Sequence, residues 1–376
     1  MTTNRITQKA IRLSWLDLRA SGLSIVERLC LEEALLRHDP YERNWAIVGN
    51  HEPLQHRYLR RSDWDVAAAP YVRQSSDPNI SCMIVMGIGG KPDHLLHVDR
   101  VKRDGVCVTK RFSGGGTVVL DASSIWTTFI GRTMDFPHVE PFPRSIMQWS
   151  ANTIFASTFD KLARKTANQA TTSPPQSVDT QKRRKQQDAP HQQKTLVMDV
   201  KSCSATENTG RVITLQPQRE GSRIQPLPRN VVQISSRNTS PSHPVDFDSL
   251  FFALKENDYV LGERKMGGNA QSIVKGGWLH HTSFLWDYDE DNMHYLTLPN
   301  KRPDYRGTRS HSDFLIRLCE VYGKSHRPFF GSLKETCEEA FELNAVTVKE
   351  AMAVVENLGG MGEWLAKSRT RLVTDI

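Results

Sequence analysis

Long hydrophobic runs are missing from this chain. No stretch of about 18 consecutive apolar residues occurs, and the apolar segments Cys82–Gly87 and Thr117–Leu120 have the length of buried strands. A membrane-spanning helix is therefore not expected. Cysteine is sparse too. Cys30, Cys82, Cys107, Cys203, Cys319 and Cys337 are scattered and include no C-x-x-C pair, which excludes a dense disulfide framework and fits reduced thiols. Cys82, His94 and His97 lack a fourth ligand at a sensible spacing for zinc. Gly87–Lys91 lacks the G-x-x-x-x-G-K-[ST] spacing, which excludes a phosphate-binding P-loop.

A charge field of one sign is also lacking in the folding part, although the 376 residues carry a formal net charge of +7. Lys165 to His243 holds 12 basic and 5 acidic residues, and the 37 basic and 37 acidic residues elsewhere cancel. Neither nucleic acid nor a membrane surface is expected as a partner of the balanced remainder. Residues 165–244 are rich in Gln, Ser, Thr, Pro and Arg and poor in apolar surface, so a disordered, basic, low-complexity insert is expected there. Leu196–Val200 and Val231–Ile234 are its short apolar exceptions. Lys182–Lys185 reads as a solvated charge cluster rather than a nuclear-import or nucleic-acid patch.

Regular patterns flank the insert. Ser24-Ile-Val-Glu27 has the form of a capping box, and Ile25, Leu29, Cys30, Leu31, Ala34 and Leu35 carry a helix through Arg37. Strand-like runs follow at Asn44–Val48, Cys82–Gly87, Gly105–Phe112, Thr117–Leu120 and Ile125–Ile130, with a polar excursion from His51 to Ile80. A second amphipathic helix is expected over Arg144–Arg164. After the insert, Tyr259–Leu261 and Trp278–Trp286 read as strands, and Leu333–Leu343 and Val346–Leu358 as helices, the latter capped by Thr347. The expected organisation is a short extension at 1–10, one discontinuous α+β domain over 11–164 and 245–358, the insert at 165–244, and a frayed tail at 359–376. The domain is expected to have a mostly antiparallel, mixed β-sheet flanked by helices. Met1–Leu16 contains Arg5, Lys9 and Arg12 and no acidic residue, the composition of a mitochondrial presequence, with a cytoplasmic location as the alternative.

Three clusters carry chemistry. In Lys110-Arg-Phe-Ser-Gly-Gly-Gly-Thr-Val-Val-Leu-Asp121, Gly114, Gly115 and Gly116 let backbone approach a ligand, and Arg111 offers a planar fork for a phosphate or carboxylate. By itself this is also the pattern of a plain hairpin turn. In Asn257–Gln271, Asp258 is a candidate for Mg²⁺ or nucleotide contacts. Lys265, followed by Gly267 and Gly268, is placed to stabilise oxygen charge at a carbonyl or phosphoryl group. A second hairpin with a solvated lysine is the plainer alternative. In Trp278–Trp286, strand alternation puts His280, Thr282 and Phe284 on one face and Leu279, His281, Ser283 and Leu285 on the other. One histidine of the pair therefore points into the core or a site.

Taken in order, these clusters resemble the lipoate–protein ligases and related lipoyl and octanoyl transferases. Arg111-Phe-Ser-Gly-Gly-Gly116, Asn257-Asp258, Lys265-Met-Gly-Gly-Asn-Ala270 and His280-His281 correspond to that family's segments, and Met86–Pro92 is similar to its strand and following loop. The arginine-rich glycine loop usual in biotin ligases, which share the fold, is absent. The resemblance implies a biotin/lipoate-ligase-like, class II synthetase-like catalytic domain. It implies ATP, Mg²⁺ and lipoate or octanoate, an acyl-adenylate intermediate, and transfer to a lysine of a lipoyl-domain acceptor of the 2-oxoacid dehydrogenase E2 or glycine-cleavage H type. Lys265 would be catalytic. Arg111, Ser113, Gly114, Gly115, Gly116, Thr117, Asn257, Asp258, Gly267, Gly268, Ala270, His280 and His281 would bind the acyl-adenylate, with Asp258 also a metal candidate. Many one-chain bacterial relatives carry an accessory domain after the catalytic one, whereas the 58 residues after Leu318 read as two helices of the same domain. An accessory subunit, unaided adenylation or a ready-activated acyl donor are the three ways to meet that difference. The last would make the chain a transferase with a cysteine nucleophile, for which Cys107 is the cysteine nearest a motif. The remaining alternative is a non-catalytic protein that binds a lipoyl domain or an adenylate.

Overall fold

Two β-sheets carry the fold of the computed structural model, which describes residues 11–51, 82–121, 123–172, 251–298 and 302–374. The expected N-terminal extension, nearly all of the 51–80 excursion and the insert from 173 onward lie outside the described residues.

The large sheet has eight strands in the order β11-β1-β2-β6-β10-β9-β8-β7. They are β1 Arg12–Asp17, β2 Trp45–Asn50, β6 Ile125–Arg132, β7 Phe252–Lys255, β8 Asp258–Leu261, β9 Arg264–Val274, β10 Gly277–Phe284 and β11 Glu342–Val346. Only the β11-β1 and β1-β2 pairs are parallel. The small sheet runs β12-β4-β3-β5, from β3 Met83–Met86, β4 Cys107–Lys110, β5 Val118–Leu120 and β12 Arg371–Leu372. The fold class is α+β with antiparallel-rich mixed sheets, as the sequence leads one to expect.

Burial on both faces explains why the central strands read as unbroken apolar runs. On one face, Ala46, Val48, Phe129, Trp278 and Phe284 join an aromatic-rich core with α2 (Pro143–Ser150), α3 (Ala156–Thr172) and α4 (Arg327–Ala340). On the other, Trp45, Ile47, Ile130 and Leu279 pack with α1 (Ile25–His38), α5 (Val348–Glu356) and α6 (Gly360–Lys367). The Ser24/Glu27 capping box starts α1 as its sequence requires. The helix is buried from Ile25 to Leu36, charged residues included, because it is wedged between α5–α6 and the large sheet.

Three expectations are corrected. The helix expected at Arg144–Arg164 is α2, one π-helical turn at Ala151–Phe155, and then α3, which continues to Thr172, past the expected boundary. Leu343 and Val346 belong to neither closing helix. They lie in β11, which pairs with the otherwise open edge of β1, and α5 starts afresh at the Thr347/Glu350 capping box. The tail is not frayed. Gly359 and Gly360 take positive φ (95° and 82°) and turn the chain back rather than ending it. Met361 and Trp364 of α6 are then buried, with Trp364 Nε1 donating to the Cys30 carbonyl at 2.8 Å.

Candidate active site

A cavity of about 930 Å³ opens between α1, the glycine segment after β4, the β8–β10 face of the large sheet and residues 303–315. Leu29, Val85, Val118, Leu120 and Trp126 give it an apolar stretch, and Asp258, Lys265, Arg306 and His311 a polar one. Of the residues expected from sequence, Arg111, Gly114, Gly115, Gly116, Thr117, Asn257, Asp258, Lys265, Gly268, Ala270 and His281 all line it. Ser113, Gly267 and His280 do not, and stand one layer behind.

The glycine segment is a shaped loop, and Arg111 is what shapes it. The residue is only 4% exposed. Nη2 donates to the carbonyls of Gly114 and Gly116 at 2.9 and 2.7 Å, and Nη1 to that of Val85 at 3.3 Å. The expected phosphate or carboxylate fork is therefore largely spent on backbone, and this corrects the sequence reading. Burial pushes the guanidinium pKa down to about 10. Gly115 sits at φ +103°, and a Cβ there would lie 2.8 Å from the Asn269 carbonyl. Gly114 N–H bonds the Gln271 carbonyl at 2.8 Å, tying the loop to β9. Thr117 adds a buried hydroxyl with no partner among the described residues.

β8 and β9 do form the hairpin that was the plainer alternative, with Lys265 one residue past its turn, but the lysine is not merely solvated. Tyr259 pairs with Gly267 and Val260 with Lys265, so Met266 is the extra residue of a β-bulge. Such a bulge re-aims its neighbours: Met266 enters the core while Lys265 faces the cavity. Lys265 Nζ lies 2.8 Å from Asp258 Oδ1, with the lysine side chain 27% and the aspartate side chain 9% exposed. The Tyr305 hydroxyl donates to the other oxygen, Oδ2, at 2.9 Å. Gly268 leaves room for the lysine stem, while Gly267 is needed against the Phe284 ring, 2.9 Å from its would-be Cβ. Both Asp258 oxygens are thus occupied, and no group of three or more metal-binding side chains occurs among the described residues. The residues present do not fit a protein-held Mg²⁺ site.

The two histidines divide as alternation requires. His280 is wholly buried, with the Tyr259 and Thr282 hydroxyls each 3.2 Å from Nε2 and Gln271 Nε2 2.9 Å from Nδ1. Burial, helped by the neighbouring His281, pushes its pKa down to about 3. His281 faces the cavity. Its Nε2 donates to the Glu32 carboxylate at 2.7 Å, and Ser113 Oγ lies 3.2 Å from Nδ1. Glu32 also accepts from Thr128 at 2.9 Å.

Sequence reasoning missed Glu32, Tyr305, Arg306 and His311. The signal for Glu32 was a carboxylate inside an apolar helix stripe. The other three lie in a polar stretch without periodicity. No cysteine lines the cavity among the described residues. Cys107 is partly exposed on β4 with its thiol pKa raised by burial, and Cys203 lies outside the described residues.

A family model described as the lipoyl protein ligase A/B catalytic domain matches residues 75–164 and 229–342. The chain belongs to that family. Among its relatives, the inactive lipoate–protein ligase 2 of Plasmodium falciparum is 24% identical over 259 residues, 65% of this chain and 50% of that protein. The chain thus spans about half the length of that curated relative. Two solved lipoate-ligase structures are similar at low identity. A lipoate-protein ligase A bound with ATP is 13% identical, with a TM-score of 0.47 and coverage of 93% of this chain and 94% of that one. P. falciparum LipL1 in complex with lipoate is also 13% identical, with a TM-score of 0.46 and coverage of 94% and 70%.

Proposed function

We propose that this chain forms a lipoyl- or octanoyl-adenylate from ATP and the free acid, and transfers the acyl group to a lysine of a lipoyl-domain acceptor. One observation carries the reading: an apolar cavity leads to Lys265, the sole lysine among its described lining residues, held by Asp258 beside a loop of three glycines. The acyl chain occupies the apolar stretch, and the reacting carboxyl reaches Lys265. In the first step a carboxylate oxygen attacks the α-phosphorus and pyrophosphate leaves. In the second the acceptor ε-amine attacks the acyl carbon, the anhydride C–O bond breaks, AMP leaves and the amine loses a proton. Lys265 donates to the oxygens that gain charge in both steps. The Arg111-braced loop keeps Gly115 and Gly116 free of side-chain bulk at the ligand.

The acceptors proposed are lipoyl domains of the E2 or glycine-cleavage H type, the setting mitochondrial, with adenylation either unaided or assisted by an accessory subunit. The cysteine-nucleophile transferase loses support, because no described cysteine lines the cavity. Similarity to an inactive lipoate–protein ligase of Plasmodium favours a second reading, in which the chain only holds an adenylate or a lipoyl domain. Mass spectrometry of a purified lipoyl-domain acceptor tests both. Incubation with the chain, Mg-ATP and lipoate or octanoate is expected to add the acyl mass only when ATP is present. No gain from free acid, from acyl-carrier donors or from preformed adenylate would remove the enzymatic reading and leave the binding one.

A further inference from the structure

Among the described residues that line the cavity, Arg306 is a cation whose outer nitrogen has no answering acceptor. It is 5% exposed and lines the cavity, yet its Nη2 has no hydrogen-bond partner among the described residues. A buried guanidinium edge without an acceptor is costly, and proteins keep such a group where something else supplies the anion. The side chain is held in place. Its Cζ lies 4.8 Å from the centroid of the Phe314 ring, and its Nε reaches the Arg309 carbonyl at 3.4 Å.

The surrounding segment is anchored to the hairpin that carries Lys265. Tyr305 bonds Asp258 on β8, Arg309 Nη1 donates to the Glu263 carbonyl at 2.9 Å, and Ile316 N–H donates to the Lys265 carbonyl at 3.0 Å. His311 lines the same cavity, and the charges of Arg306 and Lys265 both act on it. Among the described lining residues, no carboxylate pairs with Arg306 directly, and Asp258 acts on it only at a distance. Asp258 is shared by Lys265 and Tyr305, and Glu32 by His281 and Thr128.

We infer that Arg306, together with Lys265 and His311, forms a phosphoryl-anion site in the 303–315 wall of the cavity. A planar guanidinium with a free edge suits a phosphate's paired oxygens, the Lys265 ammonium on the same cavity wall adds a second positive charge, and His311, which burial and these cations hold toward its neutral form, offers an imidazole hydrogen bond rather than a charge. This assignment rests on the proposed ATP-dependent reading in so far as it makes the phosphoryl group a nucleotide's. The shared chemistry has two sources, the single phosphate of an adenylate and the pyrophosphate that leaves.

Calorimetric titration of the full chain with AMP, ATP and inorganic pyrophosphate tests it, using wild type, Arg306→Met and Arg306→Lys. Near-ultraviolet circular dichroism serves as the folding control. Arg306→Met is expected to weaken anion binding roughly 10- to 100-fold, the loss of one charge-assisted hydrogen-bonding group. Arg306→Lys is expected to recover part of it, and it carries the test if the methionine variant does not fold. Weakening for AMP and ATP alike supports a site on the adenylate phosphate. Weakening for ATP and pyrophosphate but not AMP supports one on the leaving group. Wild-type affinity in both variants, or no anion binding by wild type, overturns the inference. Acyl transfer by wild type with Arg306-independent binding would remove this site and leave the proposed function standing. Arg306-dependent binding without acyl transfer would do the reverse.

Discussion

Replacing Lys265 by Met removes one charge and little volume, and the structure separates its effect on rate from its effect on folding. The ammonium is paired with Asp258 at 2.8 Å, but the lysine side chain is 27% exposed. The solvated lysine end limits the pair itself to about 0–1 kcal/mol, but Asp258 is buried and losing its partner adds about 1–2 kcal/mol. Asp258 also keeps its bond from Tyr305 after the substitution. Unfolding free energy is therefore expected to fall by about 1–3 kcal/mol. In the reaction the same charge acts on oxygens that gain negative charge, where losing one preorganised donor costs roughly 10²–10³ in rate, or about 2.7–4 kcal/mol of barrier. Single-turnover acylation of a lipoyl domain, followed by mass spectrometry, gives the first quantity, and urea denaturation gives the second. A variant that acylates at the wild-type rate would refute the role given to Lys265. One that loses more than about 3 kcal/mol of stability would show that the lysine is structural, and that the Asp258 pair is worth far more than its exposure allows.

Three further outcomes follow from the site's construction. Arg111→Met leaves the carbonyls of Val85, Gly114 and Gly116 without their donor. It is expected to cost about 3 kcal/mol or more in chemical denaturation, and a loss under about 1 kcal/mol would contradict the bracing role. Gly115→Ala forces a side chain onto φ +103° and against the Asn269 carbonyl. A loss of at least about 1–2 kcal/mol is expected, whereas Gly116→Ala, whose Cβ meets nothing within 4 Å, stays within about 0.5 kcal/mol; equal losses in the two would contradict the packing argument. His280 and His51 are buried and neutral, with pKa values pushed down to about 3 and about 4, chiefly by burial. Below pH 6.5 the unfolded chain binds their protons first, so stability declines as pH falls from 6.5 toward 4 and 3, by up to about 1.4 kcal/mol per unit for each group. Urea midpoints that do not change between pH 6.5 and 5.0 would sink this account.

Elements with a local cause were legible in the sequence. The Ser24 and Thr347 capping boxes, the alternation across His280 and His281, and the glycine segment after Arg111 all have their cause within a few residues. What was missed depends on partners far away in sequence. β11 exists because the edge of β1 needs a neighbour. Trp364 turns a terminal segment into a packed helix only because α1 is there to receive it. Arg111 looked like a ligand fork until the carbonyls that surround it were in place, and the bulge at Met266 that aims Lys265 has no local signature. Arg306 shows the same limit: its burial and its missing partner exist only once residues 303–315 lie against the β8–β9 hairpin.

The pairing of β1 with β11 has a consequence for how the chain comes into being. Arg12 and Glu342, joined across that edge, are 330 positions apart. During synthesis, therefore, the outer edge of β1 waits without this neighbour until residues 342–346 have been made. Contacts of such long span slow folding, and an open strand edge in the interval is a template for wrong pairing. The cavity obeys the same schedule, since α1 forms one wall early and residues 303–315 supply another very late. A chain that stops short of residue 303 thus has the lysine and the glycine loop but lacks one wall of the pocket, and whatever chemistry the site performs is withheld until residues 303–315 have been made.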